Sequence, residues 1–361
     1  MTIDKLYLVY EMTESEYRDT STKLKAYFKG SRHELRRDKW DKSVYVTNGL
    51  NKYGFQEIRL RRVWKYRSIE IRLRPELLEI IDDSNYYGLT RISAFGEVGT
   101  KFDYIMKDII GLSVPPFFEW TAKRVEYTVD LCVGEALIPK LLFLYKKGNI
   151  PHYMLNNKVT HKYFDSETNM YLNATTVTVH WYDRFKTLQE KEKKSKKPYK
   201  DYSGTKGIMR FEVQCKDGNE KVQDVLSVDR CQQRLYFFYY SIIGSGDYYT
   251  LDKAKEIIQE KVKNAKKRMS LIRFLELINQ CGSVCDAKSQ FPNQLEFSSG
   301  TQSQKQIMDR FSSRLCKLRK LGINPVCLPP EWGISMLPNL DSKIHEYFED
   351  QYCDRKKEGS L

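Results

Sequence analysis

One short segment, "TTVTVHWYDRFK" at residues 175–186, contains a histidine, a tyrosine, an aspartate and an arginine in close succession. Its alternation of apolar and small residues predicts a β-strand, which places His180, Tyr182 and Arg184 on one face. A tyrosine hydroxyl can attack phosphorus as a covalent nucleophile, and an arginine can stabilise the charge that develops there. The segment therefore predicts phosphoryl chemistry with Tyr182 as the nucleophile. The opposite face would carry Trp181, Asp183 and Phe185.

Two further segments place acids on predicted strands. "AKRVEYTVDLCVG" carries Glu126 and Asp130 on its polar face, and "GIMRFEVQCK" carries Arg210 and Glu212. If these strands neighbour the first one, the sheet presents several carboxylates beside His180. Oxygen ligands with one histidine suit Mg²⁺ or Mn²⁺ better than zinc. The predicted metal ligands are Asp130, His180, Glu212 and Glu126, and Arg210 is a second candidate for contact with a phosphate.

The same residues also have structural explanations. The chain contains 25 tyrosines, and most of them must serve packing or interfaces. A single histidine such as His180 is more often a hydrogen-bonded surface residue than a metal ligand. Glu212 beside Arg210 can also form a simple cross-strand ion pair. Spacing alone therefore leaves a purely structural sheet open as the alternative to a catalytic one.

The composition indicates a basic globular protein. The chain has 361 residues, of which 41% are apolar and 13% aromatic, a length and composition that suit two domains. Lysines and arginines number 61 against 47 acids, for a net charge of +14, which suggests a polyanionic partner such as nucleic acid, although charge alone does not distinguish this from a merely soluble basic surface. No apolar run approaches a membrane span of about 20 residues. The absence of a signal-peptide pattern and the scattered cysteines predict a cytoplasmic protein without a membrane partner.

The periodicity predicts an α+β fold, with an antiparallel sheet flanked by helices and then a helical C-terminal domain. Residues 1–245 are rich in period-two strands, and "EIRLRRVWKYRSIEIRLRP" predicts a hairpin that sets Ile58 and Leu60 against Ile69, Ile71 and Leu73. After about residue 245 the period changes to three and four, which predicts helices over 250–279 and 301–321. Thr250 is the expected N-cap, and the predicted domains are 1–245 and 250–361.

Two basic surfaces are candidates for contact with DNA. The four arginines on the polar face of the predicted hairpin would repel one another unless an anion faced them, so they predict a track for the DNA backbone; the alternative is solvated arginines beside nearby acids. On the second C-terminal helix, Arg314 and Lys317 lie off the apolar stripe and can approach the phosphates of duplex DNA, although a solvated basic face explains them equally well. The hairpin arginines are Arg59, Arg61, Arg72 and Arg74.

Several segments, in order along most of the chain, resemble the gene II/X family of phage and plasmid rolling-circle replication proteins. "MTIDKLYLVYE" resembles the family's opening "MID" strand, and "IEIRLRPELLEI" its "VEIK-x-x-P" segment. "VEYTVDLCV" resembles the "R-x-D" strand, "VHWYDRFKTLQEKE" the "Y-x-K" strand with its helix, and "GIMRFEVQCK" the "RFE" strand. "RKLGINPVCLPPEW" resembles a C-terminal segment of plasmid-borne relatives. Each motif is short, and it is their order that makes the resemblance specific.

The resemblance implies a metal-dependent nickase that initiates and terminates rolling-circle replication. Such proteins cut one strand of a single-stranded or supercoiled origin through a tyrosine, hold the 5′ phosphate covalently and free a 3′ hydroxyl for the host polymerase, with a host helicase as a further partner. Their fold is similar to that of the histidine-hydrophobic-histidine (HUH) endonucleases. The family tyrosine corresponds to Tyr182, the strand acids to Asp130 and Glu212, and the local imidazole to His180.

The chain departs from the family pattern in three ways, which leave alternatives open. Thr128 stands where the family often has arginine, Arg184 replaces a lysine, and none of the five histidines forms a His-x-His pair. Tyr171 in "NMYLNATT" is an alternative nucleophile. A conjugative relaxase would use the same chemistry, while a non-catalytic DNA-binding regulator would keep the fold without it.

Overall fold

The computed structural model describes residues 2–79, 88–160, 166–195, 202–293 and 303–348. It confirms an α+β architecture in which a large antiparallel sheet is flanked by helices. The strands are β1 Thr2–Glu11, β2 Arg36–Arg37, β3 Val44–Thr47, β4 Phe55–Val63, β5 Tyr66–Leu73, β6 Thr90–Arg91, β7 Thr121–Cys132, β8 Asn169–Asn173, β9 Val177–Asp183, β10 Ile208–Lys221, β11 Tyr248–Tyr249 and β12 Met336–Leu337. The main sheet has the order β2-β3-β4-β5-β1-β7-β10-β9-β8, with β6 paired to β1, while β11 and β12 pair separately.

The helices lie between and after these strands. They are α1 Glu14–Phe28, α2 Glu76–Glu79, α3 Phe95–Tyr104, α4 Ile138–Lys146, α5 His152–Leu155, α6 Arg184–Ser195, α7 Val222–Val225, α8 Val228–Ile242, α9 Leu251–Lys261, α10 Ala265–Cys281, α11 Val284–Gln290 and α12 Gln304–Lys320. A π-helical segment, Ile105–Ile109, extends α3, and residues 341–348 are also helical. Short 3₁₀ turns occur at Asn51–Tyr53, Ile92–Ala94, Phe117–Glu119, Ser203–Thr205, Phe291–Asn293 and Pro330–Trp332. In the part of the chain that the structure describes, no helix combines the length and apolar character needed to cross a membrane.

The predicted hairpin and the three predicted central strands are confirmed. In β4 and β5, Ile58 pairs with Ile71 and Leu60 with Ile69, and all four side chains are buried. Strand β10 lies between β7 and β9, so the acids and the imidazole that the sequence placed on polar faces are brought to one area. The period-two pattern predicted which residues of each strand face the same side, because a strand that slipped by one residue would expose its apolar set; the order of the strands did not follow from it.

The apolar face of these central strands is packed with aromatic rings. Trp181 of β9 stacks on Phe211 of β10 with ring centroids 4.6 Å apart. Tyr145 of α4 and Tyr239 of α8 close over them at centroid distances of 5.9 and 6.0 Å. Helices α4 and α8 cover this apolar face of the sheet. The polar side chains of the same strands therefore lie on the other face, on strands that the aromatic packing holds rigid.

Strand β1 contains an extra residue where it pairs with β7. Ile3 pairs with Tyr127 and Leu6 with Val125, so Asp4 and Lys5 together oppose the single residue Glu126. Such a bulge disrupts the alternation of side chains, and consecutive residues can then share a face. Asp4 and Lys5 therefore both lie beside Glu126, as their contacts confirm.

The single helix predicted over 250–279 is wrong, because the structure has two helices there. Helix α9 ends at Lys261, Val262 is extended, and the side chain of Asn264 caps α10 by accepting a hydrogen bond from the Lys267 backbone N–H. The Thr250 N-cap is confirmed, and α12 corresponds to the helix predicted over 301–321. The domain boundary near residue 245 stays a prediction, and parts of the predicted C-terminal domain, 294–302 and 349–361, lie outside the described residues.

Candidate active site

Three carboxylates from three adjacent strands meet on the polar face of the sheet. Asp4 of β1, Glu126 of β7 and Glu212 of β10 each offer one oxygen, and these oxygens all lie within 4.8 Å of one another. We call these three residues the acid cluster. Glu126 and Glu212 were predicted from the sequence, whereas Asp4 was missed. A regular β1 would place Asp4 with the buried Leu6 and Leu8, and the only signal of the bulge is this charge within an apolar alternation.

The acid cluster already contains a cation from the same bulge. The Lys5 Nζ lies 2.9 Å from Asp4 Oδ2 and 3.1 Å from Glu126 Oε2. Glu126 accepts further hydrogen bonds from Arg124 and from Gln214 Nε2, the latter at 2.7 Å. The cluster is thus partly neutralised by protein groups before any metal or substrate binds.

The buried Arg210 and the half-buried Asp130 form an ion pair next to the acid cluster. Arg210 is completely buried, and its Nε and Nη2 donate to the two oxygens of Asp130 at 2.5 and 2.7 Å. Its Nη1 has no hydrogen-bond partner among the described residues and lies 3.9 Å from both Asp4 Oδ1 and Glu212 Oε1. The carboxylate of Asp130 binds Arg210 and is not among the three whose ligand atoms converge, so its role as a metal ligand stays a prediction. The side chain of Arg210 is buried on the sheet, and its contact with a phosphate of DNA stays a prediction.

Tyr182 is bonded directly to the acid cluster. Its hydroxyl donates a hydrogen bond of 2.6 Å to Glu212 Oε1, and only 4% of the residue is exposed. The ring of His180 lies 4.4 Å from that of Tyr182, and the ring of Tyr171 lies 5.1 Å from His180 on its other side. Tyr171 is on β8, directly opposite His180, so both candidate nucleophiles share this row of rings.

His180 and Arg184 lie near the cluster in positions that differ from the prediction. His180 Nδ1 is 4.0 Å from Glu212 Oε2, and His180 does not belong to the three residues whose ligand atoms converge. Arg184 is not a strand residue but the first residue of α6, where it is buried and its Nε has no hydrogen-bond partner among the described residues. Its positive charge favours the ionised form of Tyr182.

Burial sets the protonation states at the site. It raises the pKa of Glu212 to about 7, with a further contribution from the charges of Asp4 and Glu126. It also raises the pKa of Tyr182 well above its usual value and lowers that of His180 to about 3, so both are neutral at physiological pH. Burial alone would raise the pKa of Asp4, but Lys5 and Arg210 more than offset it and lower the pKa. Glu212 is therefore the cluster acid that changes charge near neutral pH.

We expect Glu212→Gln to stabilise the protein at alkaline pH. A carboxyl whose folded pKa is raised from 4.5 to about 7 contributes stability fully below pH 4.5 and loses it as the pH rises through 7. Glutamine mimics the protonated acid and still accepts from Tyr182. The gain in free energy of unfolding is expected to be about 3 kcal/mol at pH 8 and to vanish near pH 4. Denaturant unfolding of both proteins across this range tests it, and a difference that is independent of pH contradicts the assignment.

The hairpin arginines are neutralised by the protein itself. The argument that four arginines on one face require an external anion is wrong, because each contacts a carboxylate of the chain, and contact with DNA stays a prediction. The pairs are Arg59 Nη1 with Glu57 at 3.0 Å, Arg61 Nε with Glu70 at 2.7 Å, Arg72 Nη1 with Glu57 at 2.8 Å, and Arg74 with Glu76.

Comparison with protein-family models, with curated proteins and with solved structures found no match to this chain.

Proposed function

We propose that this protein is a nickase that initiates rolling-circle replication through a 5′-phosphotyrosyl intermediate on Tyr182. The observation that supports the proposal is the hydrogen bond from the Tyr182 hydroxyl to Glu212, a member of the acid cluster. A nucleophile, a proton acceptor and oxygen ligands for a divalent ion thus adjoin one another, and the motifs that resemble the gene II/X family include two of these residues, Tyr182 and Glu212. The proposed fold relationship is to the HUH endonucleases.

Glu212 is the proposed base in the first step. Burial raises its pKa to about 7 in the metal-free protein, and the hydrogen bond from Tyr182 makes its carboxylate the acceptor for that proton. The tyrosine oxygen forms a bond to phosphorus, the bond from phosphorus to the 3′ oxygen breaks, and that oxygen takes up a proton. Arg184 and Arg210 balance the negative charge on the tyrosine oxygen. Because the phosphotyrosine conserves the ester, rejoining needs no ATP.

Mg²⁺ or Mn²⁺ is the cofactor that the donor set fits best. Asp4, Glu126 and Glu212 would hold it, and it would polarise the phosphodiester as a Lewis acid. The orphaned Nη1 of the buried Arg210 also faces the cluster, where a phosphate oxygen would give it an acceptor. Lys5 stands between Asp4 and Glu126, so a divalent ion bound there competes with its ammonium group.

We expect Lys5→Met to tighten Mn²⁺ binding by about tenfold or more, because the ion no longer competes with an ammonium group for Asp4 and Glu126. Calorimetric titration of the DNA-free protein with Mn²⁺ measures this directly. Lys123→Met is the matched control: Lys123 lies on β7, the strand next to β1, but it contacts Asn219 and not the cluster. An unchanged Mn²⁺ affinity in Lys5→Met would show that the ion does not bind between these acids.

The proposal is tested by incubating the purified protein with a pool of supercoiled plasmids bearing candidate origins and Mn²⁺. The expected result is an open circle with protein attached to the 5′ end of the nick and an extendable 3′ hydroxyl. Nicks without attached protein, or double-strand breaks, would contradict a tyrosine mechanism.

A non-catalytic DNA-binding regulator is the second candidate function. It is favoured by the burial of Tyr182 and by the internal neutralisation of the acid cluster by Lys5. A regulator predicts sequence-specific binding to the origin that Tyr182→Phe leaves unchanged, with no covalent product from the parent protein.

A further inference from the structure

A basic cleft runs between α10 and α12, in a different part of the protein from the acid cluster. Its volume is about 860 Å³, which is large enough to hold several repeating units of a polymeric ligand. Six of its lining side chains are cationic, and none of the described residues that line it is an acid. The six, which we call the cleft cations, are Lys266, Lys267, Arg310, Arg314, Lys317 and Lys320.

The cations stand on both walls of the cleft. Lys266 and Lys267 project from the first turn of α10, while the other four come from α12 at spacings of four, three and three residues. Such spacings keep side chains on one face of a helix, and at about 1.5 Å per residue the α12 row is about 15 Å long. A chain of phosphates lying in the cleft would thus be contacted from both sides along several repeats.

The walls are held in place by aromatic packing. Phe274 of α10 packs against Phe311 of α12 at a centroid distance of 5.0 Å, and Phe291 packs against Phe311 at 5.2 Å. The Arg314 guanidinium lies over the Phe291 ring at 5.5 Å, and its Nε donates to Ser270 Oγ on the opposite wall at 3.3 Å. The cleft is therefore a preformed groove and not a chance alignment of long surface chains.

The electrostatics of the cleft differ from those of the hairpin arginines. On the hairpin, carboxylates of the same face lie between the arginines. The described residues that line the cleft include six cations and no acid, so positive charges are neighbours there. Burial and the neighbouring Arg310 lower the pKa of Arg314, as expected where cations repel one another. Bound phosphates would relieve this repulsion, and the release of their counterions would add to the affinity.

We propose that this cleft binds the sugar-phosphate backbone of a single DNA strand. Cations on two walls can contact the backbone of a single strand from both sides, whereas in a duplex the paired bases cover one side of each backbone. The apolar Val262, Leu271 and Leu321 also line the cleft and can contact sugars or an unstacked base. The choice of DNA as the polyanion rests on the proposed function; the site itself does not depend on Tyr182 chemistry.

The test compares two double variants that change the net charge equally. In Lys266→Glu/Lys317→Glu, one cation is reversed on each wall. In the control, Lys288→Glu/Lys305→Glu, two exposed lysines of α11 and α12 that do not line the cleft are reversed. Binding of a fluorescein-labelled oligothymidylate of about 20 nucleotides is followed by anisotropy in EDTA, which prevents any metal-dependent cleavage, at several KCl concentrations around 100 mM.

The cleft variant is expected to bind the oligothymidylate at least about tenfold more weakly than the parent, with the salt slope reduced by about 1 to 2, and the control is expected to stay within about twofold. Equal losses in the two variants, or a cleft variant within about twofold of the parent, would overturn the proposal. A larger loss for a duplex of the same length would show that the occupant is double-stranded. Because the assay needs no cleavage, a failed nicking reaction leaves its outcome intact.

Discussion

Tyr182→Phe is expected to abolish the covalent protein–DNA adduct, lowering its rate of formation by about 1,000-fold or more. The variant removes only the hydroxyl that Glu212 accepts from, while the ring keeps its packing beside His180. The expected loss is large because no other atom of the side chain can form the phosphoester. A denaturing gel of protein mixed with labelled single-stranded origin DNA and Mn²⁺ measures it.

The chain offers a matched control for this experiment. Tyr7 also donates its hydroxyl to a glutamate, Glu70, on the same face of the sheet, but this pair does not belong to the acid cluster. Tyr7→Phe is therefore expected to retain the adduct. If the adduct persists in Tyr182→Phe and disappears in Tyr171→Phe, the nucleophile is Tyr171, which lies across His180 in the same row of rings.

Arg210→Met is expected to destabilise the protein by about 3–5 kcal/mol, the usual cost of breaking a buried ion pair from one side. Arg210 is completely buried and binds Asp130 through two hydrogen bonds, and its charge also lies within 4 Å of Asp4 and Glu212. Methionine fills much of the volume, but it leaves the half-buried Asp130 without its partner and the buried Asp4 without one neighbouring cation. Urea unfolding at pH 7 gives the difference in free energy of unfolding.

Arg124→Met serves as the comparison for this measurement. Arg124 also contacts a buried acid, Glu126, but 42% of its side chain is exposed, so water screens the interaction. We expect a loss of no more than about 1 kcal/mol there. Similar effects for the two variants would mean that Arg210 contributes to the site mainly through its charge in the reaction and not through the stability of the sheet.

The amino-acid sequence by itself determined which residues face which side of the central strands. The alternation around Val125 to Leu131 and around His180 and Tyr182 is local, and burial of one face enforces it. The hairpin pairing of Ile58 with Ile71 followed from the same rule, as did the position of Glu212 on the polar side. Helix caps such as Thr250 were predictable because a cap depends only on one side chain and on the backbone N–H groups of the helical turn that follows it.

Only the tertiary structure decided which of these polar groups meet. Asp4 joins Glu126 because β1 carries an extra residue against β7, and that irregularity depends on a partner strand more than a hundred residues away. Asp130 is drawn away from the cluster because the register of β10 sets Arg210 opposite it. Likewise the hairpin arginines find Glu57 and Glu70 as neighbours. Side-chain alternation is a property of one strand, so a sequence pattern can predict it. Register and bulges are properties of two paired strands, so they depend on long-range packing.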